Sequence, residues 1–111
     1  MLVVTTENVP NHRILETKGA VFGIIVRSRG AVGNIAAAFK SLFGGEIHQY
    51  TELLTKARMD AIDRMIAHAQ QMGANAIIMM RFDGSEIAAA MSEIVVYGTA
   101  VVIAPEQGMY R

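Results

Sequence analysis

The sequence predicts an α+β domain in which one sheet packs against one long helix. Three observations carry this. A run from His48 to Met72 repeats its apolar residues at helical spacing, and three other segments are dense in β-branched residues. A chain of 111 residues has room for one sheet-and-helix core but not for two independent ones, so residues 1 to 111 read as a single domain.

The elements follow in order. "LVVTTE", Leu2 to Glu7, reads as a short strand stopped by the turn-like "NVPN". His12 to Ser28 reads as one long strand, or as a hairpin interrupted at Lys18-Gly19, with its densest β segment from Ala20 to Arg27. Within it, Gly19 and Gly23 mark a bend, a bulge or the close approach of another backbone. "RSRGAVGN" breaks the β pattern, and Asn34 is placed to cap a short helix over "IAAAFKSLF" that ends at Gly44-Gly45. On the long helix Tyr50, Leu53, Leu54, Ala57, Ala61, Met65, Ala69 and Met72 form one apolar face, and Gly73 sits where a left-handed cap closes it. Its polar face carries Glu52 with Lys56 and Asp60 with Arg64, acid-first pairs at four-residue spacing worth about 0.3 kcal/mol each. Asn75 to Asp83 is a further strand, "GSEIAAA" is turn-like, Ser92 to Ala104 is a last long strand, and the tail "PEQGMYR" is polar and loose at its end.

Composition narrows the function classes. Hydrophobic residues make up 52% of the chain against 18% charged, an apolar excess over an ordinary soluble domain. Ten Lys plus Arg balance ten Asp plus Glu, so no basic field draws in nucleic acid or anionic lipid. The absence of Cys removes disulfides, thiolate metal sites and cysteine nucleophiles together. The first residues do not read as a secretion signal, and the longest apolar stretches fall short of the roughly 20 residues a spanning helix needs. A soluble cytoplasmic protein is the expectation.

Alternation splits each strand into two sides. The last strand gives Ile94, Val96, Gly98, Ala100 and Val102 against Val95, Tyr97, Thr99, Val101 and Ile103. Asn75 to Asp83 gives Ala76, Ile78, Met80 and Phe82 against Ile77, Met79 and Arg81, and the early strand gives Ala20, Phe22, Ile24 and Val26 against Val21, Gly23, Ile25 and Arg27. Both sides are largely apolar each time. A parallel sheet clad by helices on both faces would explain this, but it needs crossover helices that the chain lacks. One long helix covers one face, so the other calls for a second copy of the chain. Burying about five apolar side chains per subunit yields on the order of 10 kcal/mol gross, less ordering and association costs.

Candidate sites are sparse. Glu46, His48, Tyr50 and Glu52 alternate by two, and His48 with Glu52 is also an i, i+4 pair, so Glu46, His48 and Glu52 could hold a divalent metal with symmetry supplying further ligands. The competing reading leaves His48 in solvent and both acids complementing the positive end of the helix. Arg27, Arg29 and Gly30 stand ahead of a helix start, where cations and free amides could hold a small anion, either as a binding loop or beside an enzyme's substrate. That loop lacks the Lys and spacing of a phosphate loop and reads more readily as an ordinary loop with salt-bridged arginines. His12 and His68 read as surface residues. Of eight methionines, Met65 and Met72 fall on the helix's apolar face, and Met79 and Met80 point to opposite sides of one strand, which is core filling and not a soft-metal site. No serine sits in a nucleophile elbow, and no catalytic triad is visible, so the expectation is a non-enzymatic protein.

The ordered motifs "GGEIHQYTELL", "GANAIIMMRFD" and "EIVVYGTAVVI", with "AR" and "RM" between them on the helix, resemble the YbjQ-like family of small bacterial and archaeal proteins, over Thr5 to Ile103. The resemblance implies a two-layer α/β subunit with an antiparallel sheet, similar to the dodecin subunit. It further implies assembly as a ring, a homopentamer with small strands joining neighbours. The family is labelled heavy-metal-binding, a chemistry for which this chain offers no thiolate. Within that frame Gly44 and Gly45 turn the chain from the short helix into the long one, and Glu46 complements its start.

Overall fold

The structure, a computed structural model, describes residues 1–28, 47–88 and 91–106. The short helix expected after Asn34 and the Gly44-Gly45 turn lie outside these residues. The described chain runs β1 (Leu2–Val3), β2 (His12–Ser28), α1 (Ile47–Gln71), β3 (Ala76–Ala88) and β4 (Met91–Pro105). The strands form one sheet in the order β1-β3-β4-β2. β4 runs antiparallel to both neighbours, whereas β1 lies parallel to β3, with Leu2 opposite Ala76 and Val3 opposite Ile77. The expected antiparallel sheet is therefore mixed at its short edge, because the segment after β1 must cross the sheet to start β2.

β2 is one strand, not a hairpin. It stays paired with β4 from His12 opposite Pro105 to Ser28 opposite Met91, and the break expected at Lys18-Gly19 is a register shift at which Gly19 takes a φ of 128°. Only glycine adopts such a φ without strain. The turn expected over "GSEIAAA" is shorter than its composition suggests. β3 continues through Gly84 opposite Ile94, Ser85 opposite Glu93 and Ala88 opposite Met91, since cross-strand pairing outweighs weak local preference.

α1 lies antiparallel on β2 with the face the periodicity assigns. Ala57, Ala61, Met65 and Ala69 are buried against Val21, Ile25, Ile77, Val96 and Ala100. The fit depends on Gly23: a Cβ there would collide with the Ala61 carbonyl oxygen and lie 2.7 Å from the Met65 amide nitrogen. Alanines on one surface and a glycine on the other let the two backbones approach. At its far end α1 closes as expected, with Gly73 at φ 82°, the Ala74 N–H donating to Ala69 O (3.1 Å) and the Gly73 N–H to Gln70 O (3.0 Å). The helix's polar side differs in detail from its acid-first pattern. Lys56 pairs with Asp60 at 3.3 Å, and the Arg64 guanidinium donates to Ile24 O at 2.8 Å.

The second face of the sheet is partly covered by the chain itself. Val4 and Val9 pack on Ala76, Ile78 and Val101, beside Ile103, in a second small core. This segment is pinned over an irregularity in β3: the Met79 N–H donates to Thr6 O (3.1 Å), the Met80 N–H to Val4 O (3.0 Å) and Arg81 to Thr5 O (2.9 Å). Met79 there takes a φ of 57°, and the register shifts between Ile78 and Arg81. Strict alternation, which groups Phe82 and Met80 with Ala76 and Ile78, is broken by that shift. Met80 and Phe82 pack with Ile77 beneath the helix instead.

Two substitutions test this account. Gly23→Ala is expected to cost about 3 kcal/mol or more, because the obstruction is helix backbone and cannot rotate aside; urea unfolding monitored by circular dichroism reads it. At Met79, a β-branched residue meets the left-handed φ badly and glycine does not, so Met79→Val should be about 2 kcal/mol less stable than Met79→Gly in thermal unfolding.

Candidate functional site

Two surfaces stand out among the described residues. The first is the remainder of the sheet's second face. Cross-strand pairs Phe22/Tyr97, Ile24/Val95 and Val26/Glu93 line up along β2 and β4, with Arg81, Asp83 and Ser85 in register on β3. Phe22, Val26 and Tyr97 are 50%, 48% and 46% exposed. These are the sides of β2 and β4 that alternation assigns away from the helix. The chain's first residues protect the other end of the same face, so the need for a cover is confined to this half. β2 and β4 outrun the helix, leaving Ile14 and Leu15 exposed at 40% and 53% near one end.

The second surface is a cleft of about 300 Å³ between the first half of α1 and the β3–β4 pair, lined by Leu54, Arg58, Phe82, Asp83, Gly84 and Ile94. The Arg58 guanidinium carbon stands over the Phe82 ring, 5.2 Å from its centroid. Asp83 Oδ1 accepts a hydrogen bond from the Gly84 N–H at 2.8 Å.

The residues singled out from sequence fall elsewhere. Arg27 lies in β2 opposite Ser92, while Arg29 and Gly30 are outside the described residues, so the anion loop has no described geometry. Glu46 is outside as well. His48, Tyr50 and Glu52 all lie in α1, His48 and Glu52 one turn apart, with Glu52 exposed. Among the described residues no three His, Asp or Glu side chains come together as a metal cluster. His68 is half-buried and not a free surface group: its Nδ1 accepts from the Phe22 N–H at 3.4 Å, and its ring meets the Phe22 ring edge-on at 5.3 Å. Arg58 and Phe82 were not legible as a site. Their signal was faint, a cation one turn after Leu54 on the border of the apolar face and an aromatic on a strand whose side changes at the bulge.

Among the described residues, one long helix laid on a four-stranded mixed sheet makes a two-layer α+β domain. The chain belongs to the YbjQ family, whose model, described as "Putative heavy-metal-binding", matches residues 1–104. It is 57% identical over 105 residues to a UPF0145 protein of Bradyrhizobium sp. (strain ORS 278), covering 95% of each chain. It is 54% identical to a UPF0145 protein of the archaeon Sulfurisphaera tokodaii, over 93% of this chain and 90% of that one. The fold is shared with a crystal structure of a protein of unknown function from Pediococcus pentosaceus, assigned to the DUF74 family. That match has a TM-score of 0.54 at 16% identity and covers 96% of this chain and 98% of the other. No helix among the described residues is long and apolar enough to cross a membrane.

Proposed function

We propose that the protein is a non-enzymatic, homo-oligomeric binding or scaffold protein whose subunits cover one another's open sheet face, in a ring of five as the family resemblance implies. The observation that carries this is the half-covered second face, where Phe22, Ile24, Val26, Val95 and Tyr97 form a contiguous apolar strip rimmed by Glu93, Arg81 and Asp83. An apolar centre with a polar rim is the anatomy of a subunit contact. Closed rotational symmetry satisfies such a strip on every copy at once.

Native mass spectrometry of the untagged chain is expected to show a discrete oligomer, with five copies for the ring; a monomer at micromolar concentration overturns the reading. Val26→Lys sharpens the test. In the isolated subunit its ammonium stands opposite Glu93 in water and is tolerated, whereas covering that face takes the ion pair out of water at a desolvation cost that the pairing does not recover. The variant should keep its circular dichroism spectrum and lose the large species.

A second reading is a divalent site built from Glu46, His48 and Glu52. It is favoured by the one-turn spacing of His48 and Glu52 in α1 and by the description of the family. Imidazole and carboxylate suit zinc or nickel better than the soft heavy metals that thiolates take, so the donor set fits the harder end of that description. Titrating zinc, copper and nickel into metal-free protein should give a saturable heat that His48→Ala removes. If the heat survives that substitution, His48 is not a ligand and this reading is withdrawn.

A further inference from the structure

We propose that the cleft between α1 and the β3–β4 pair binds a small amphipathic monocarboxylate, an apolar or aromatic body ending in one carboxylate that Arg58 grips. This deepens the binding reading above and is independent of assembly, since a ring can form with the cleft empty.

The walls set the body of the ligand. Leu54, Phe82 and Ile94 supply apolar walls to an open cleft, and Leu54 is 40% exposed although it lies on the helix's apolar face. Gly84 keeps one side open: the nearest atom a Cβ there would meet is Glu93 O at 3.4 Å, so a side chain could be built and the sequence leaves the space empty. About 300 Å³ is at the lower end of ligand-pocket volumes and suits a small organic molecule.

Arg58 sets the head group. Among the described residues, other cations of α1 and β3 are engaged elsewhere: Arg64 on Ile24 O, Arg81 on Thr5 O and Met80 O, and Lys56 on Asp60. Arg58 meets the Phe82 ring and, among the described residues, no carboxylate within ion-pair distance. A guanidinium held over a ring is positioned by it and keeps N–H donors for a planar two-oxygen acceptor. The charge count then chooses between anions. Alternation places the Asp83 side chain, in register with Val95, on the face opposite Phe82, where its carboxylate accepts from the Gly84 N–H, so Arg58 is the one charged side chain on the helix side among the described lining residues. One guanidinium under those conditions suits a single negative charge. A phosphate dianion would need further cations, and the described lining residues supply none.

The test uses the full-length chain in its native assembly and calorimetric titration with 4-phenylbutyrate, its neutral amide and the corresponding amine. The acid should bind saturably and at least about tenfold more tightly than the amide, the difference that a charge-assisted pair supplies, and the amine should not bind. Arg58→Met should reduce affinity for the acid about tenfold and leave the weak binding of the amide unchanged. Gly84→Leu should abolish both by filling the space. Equal binding of acid and amide, undiminished binding by Arg58→Met, or no saturable binding of the acid at millimolar concentration overturns the proposal. The acid–amide comparison needs no variant, so it decides even if Gly84→Leu fails to fold. Native mass spectra of the same samples separate a failure of the cleft from a failure of the ring.

Discussion

The close approach of α1 to β2 at Gly23 is the constraint on which the rest of the subunit depends. A helix normally packs on a sheet with side chains of both layers filling the gap between them. Here the Ala61 carbonyl and Met65 amide lie where a Cβ of residue 23 would stand, and the helix's contact stripe is largely alanine. Little apolar volume separates the layers at that point, so stability has to come from shape fit and from larger groups around the contact. Met65, Val21, Ile77 and Val96 do this, and all four are fully buried. The arrangement also fixes the helix along the strand, because moving it off the glycine would drive Ala61 into Val21 or Ile25.

Pinned there, the helix covers β2 and the middle of β4 well and β3 less so. That asymmetry has two consequences. On the β3 side a gap remains between Leu54 and Arg58 on the helix and Phe82, Gly84 and Ile94 below it, which is the cleft. On the second face, the N-terminal segment is long enough to shield only Ala76, Ile78 and Val101. The bulge at Met79 serves that shielding. It turns Met79 and Met80 amides toward the crossing segment and at the same time moves Phe82 to the helix side, so one irregular residue serves both layers.

How much of this was legible depends on whether a feature is periodic. The helix, its buried face, its glycine cap and the two sides of β2 and β4 could be read because burial repeats at 3.6 or 2 residues and leaves a pattern in the residue types. Gly23 was legible as a candidate for close approach but not its partner, since the meeting of Ala61 with Gly23 is a long-range fact. The bulge was not legible: Ala76 to Phe82 alternates plausibly in either register, and nothing local announces that Met79 takes a left-handed φ. The parallel β1–β3 pairing was missed for a similar reason, as two residues carry no orientation signal. The cleft was missed because its residues come from three elements and none is unusual in its own segment.

The edge of β2 bears on what the open face is for. Phe22 and Ile24 point their backbone groups away from β4, and an exposed strand edge of this kind invites pairing with another chain. α1 closes it locally with two side chains one turn apart: His68 accepts from the Phe22 N–H, and Arg64 donates to the Ile24 carbonyl. Strand addition at that stretch would have to displace the charge-assisted Arg64–Ile24 bond and the His68–Phe22 bond. The side chains along this stretch are less sheltered: the His68 ring meets one edge of Phe22, yet Phe22 and Val26 are each about half exposed. The central part of β2 is thus guarded against edge-to-edge growth and left open to face-to-face contact. Such a division favours association that buries side chains in a finite, closed arrangement over one that extends the sheet without limit.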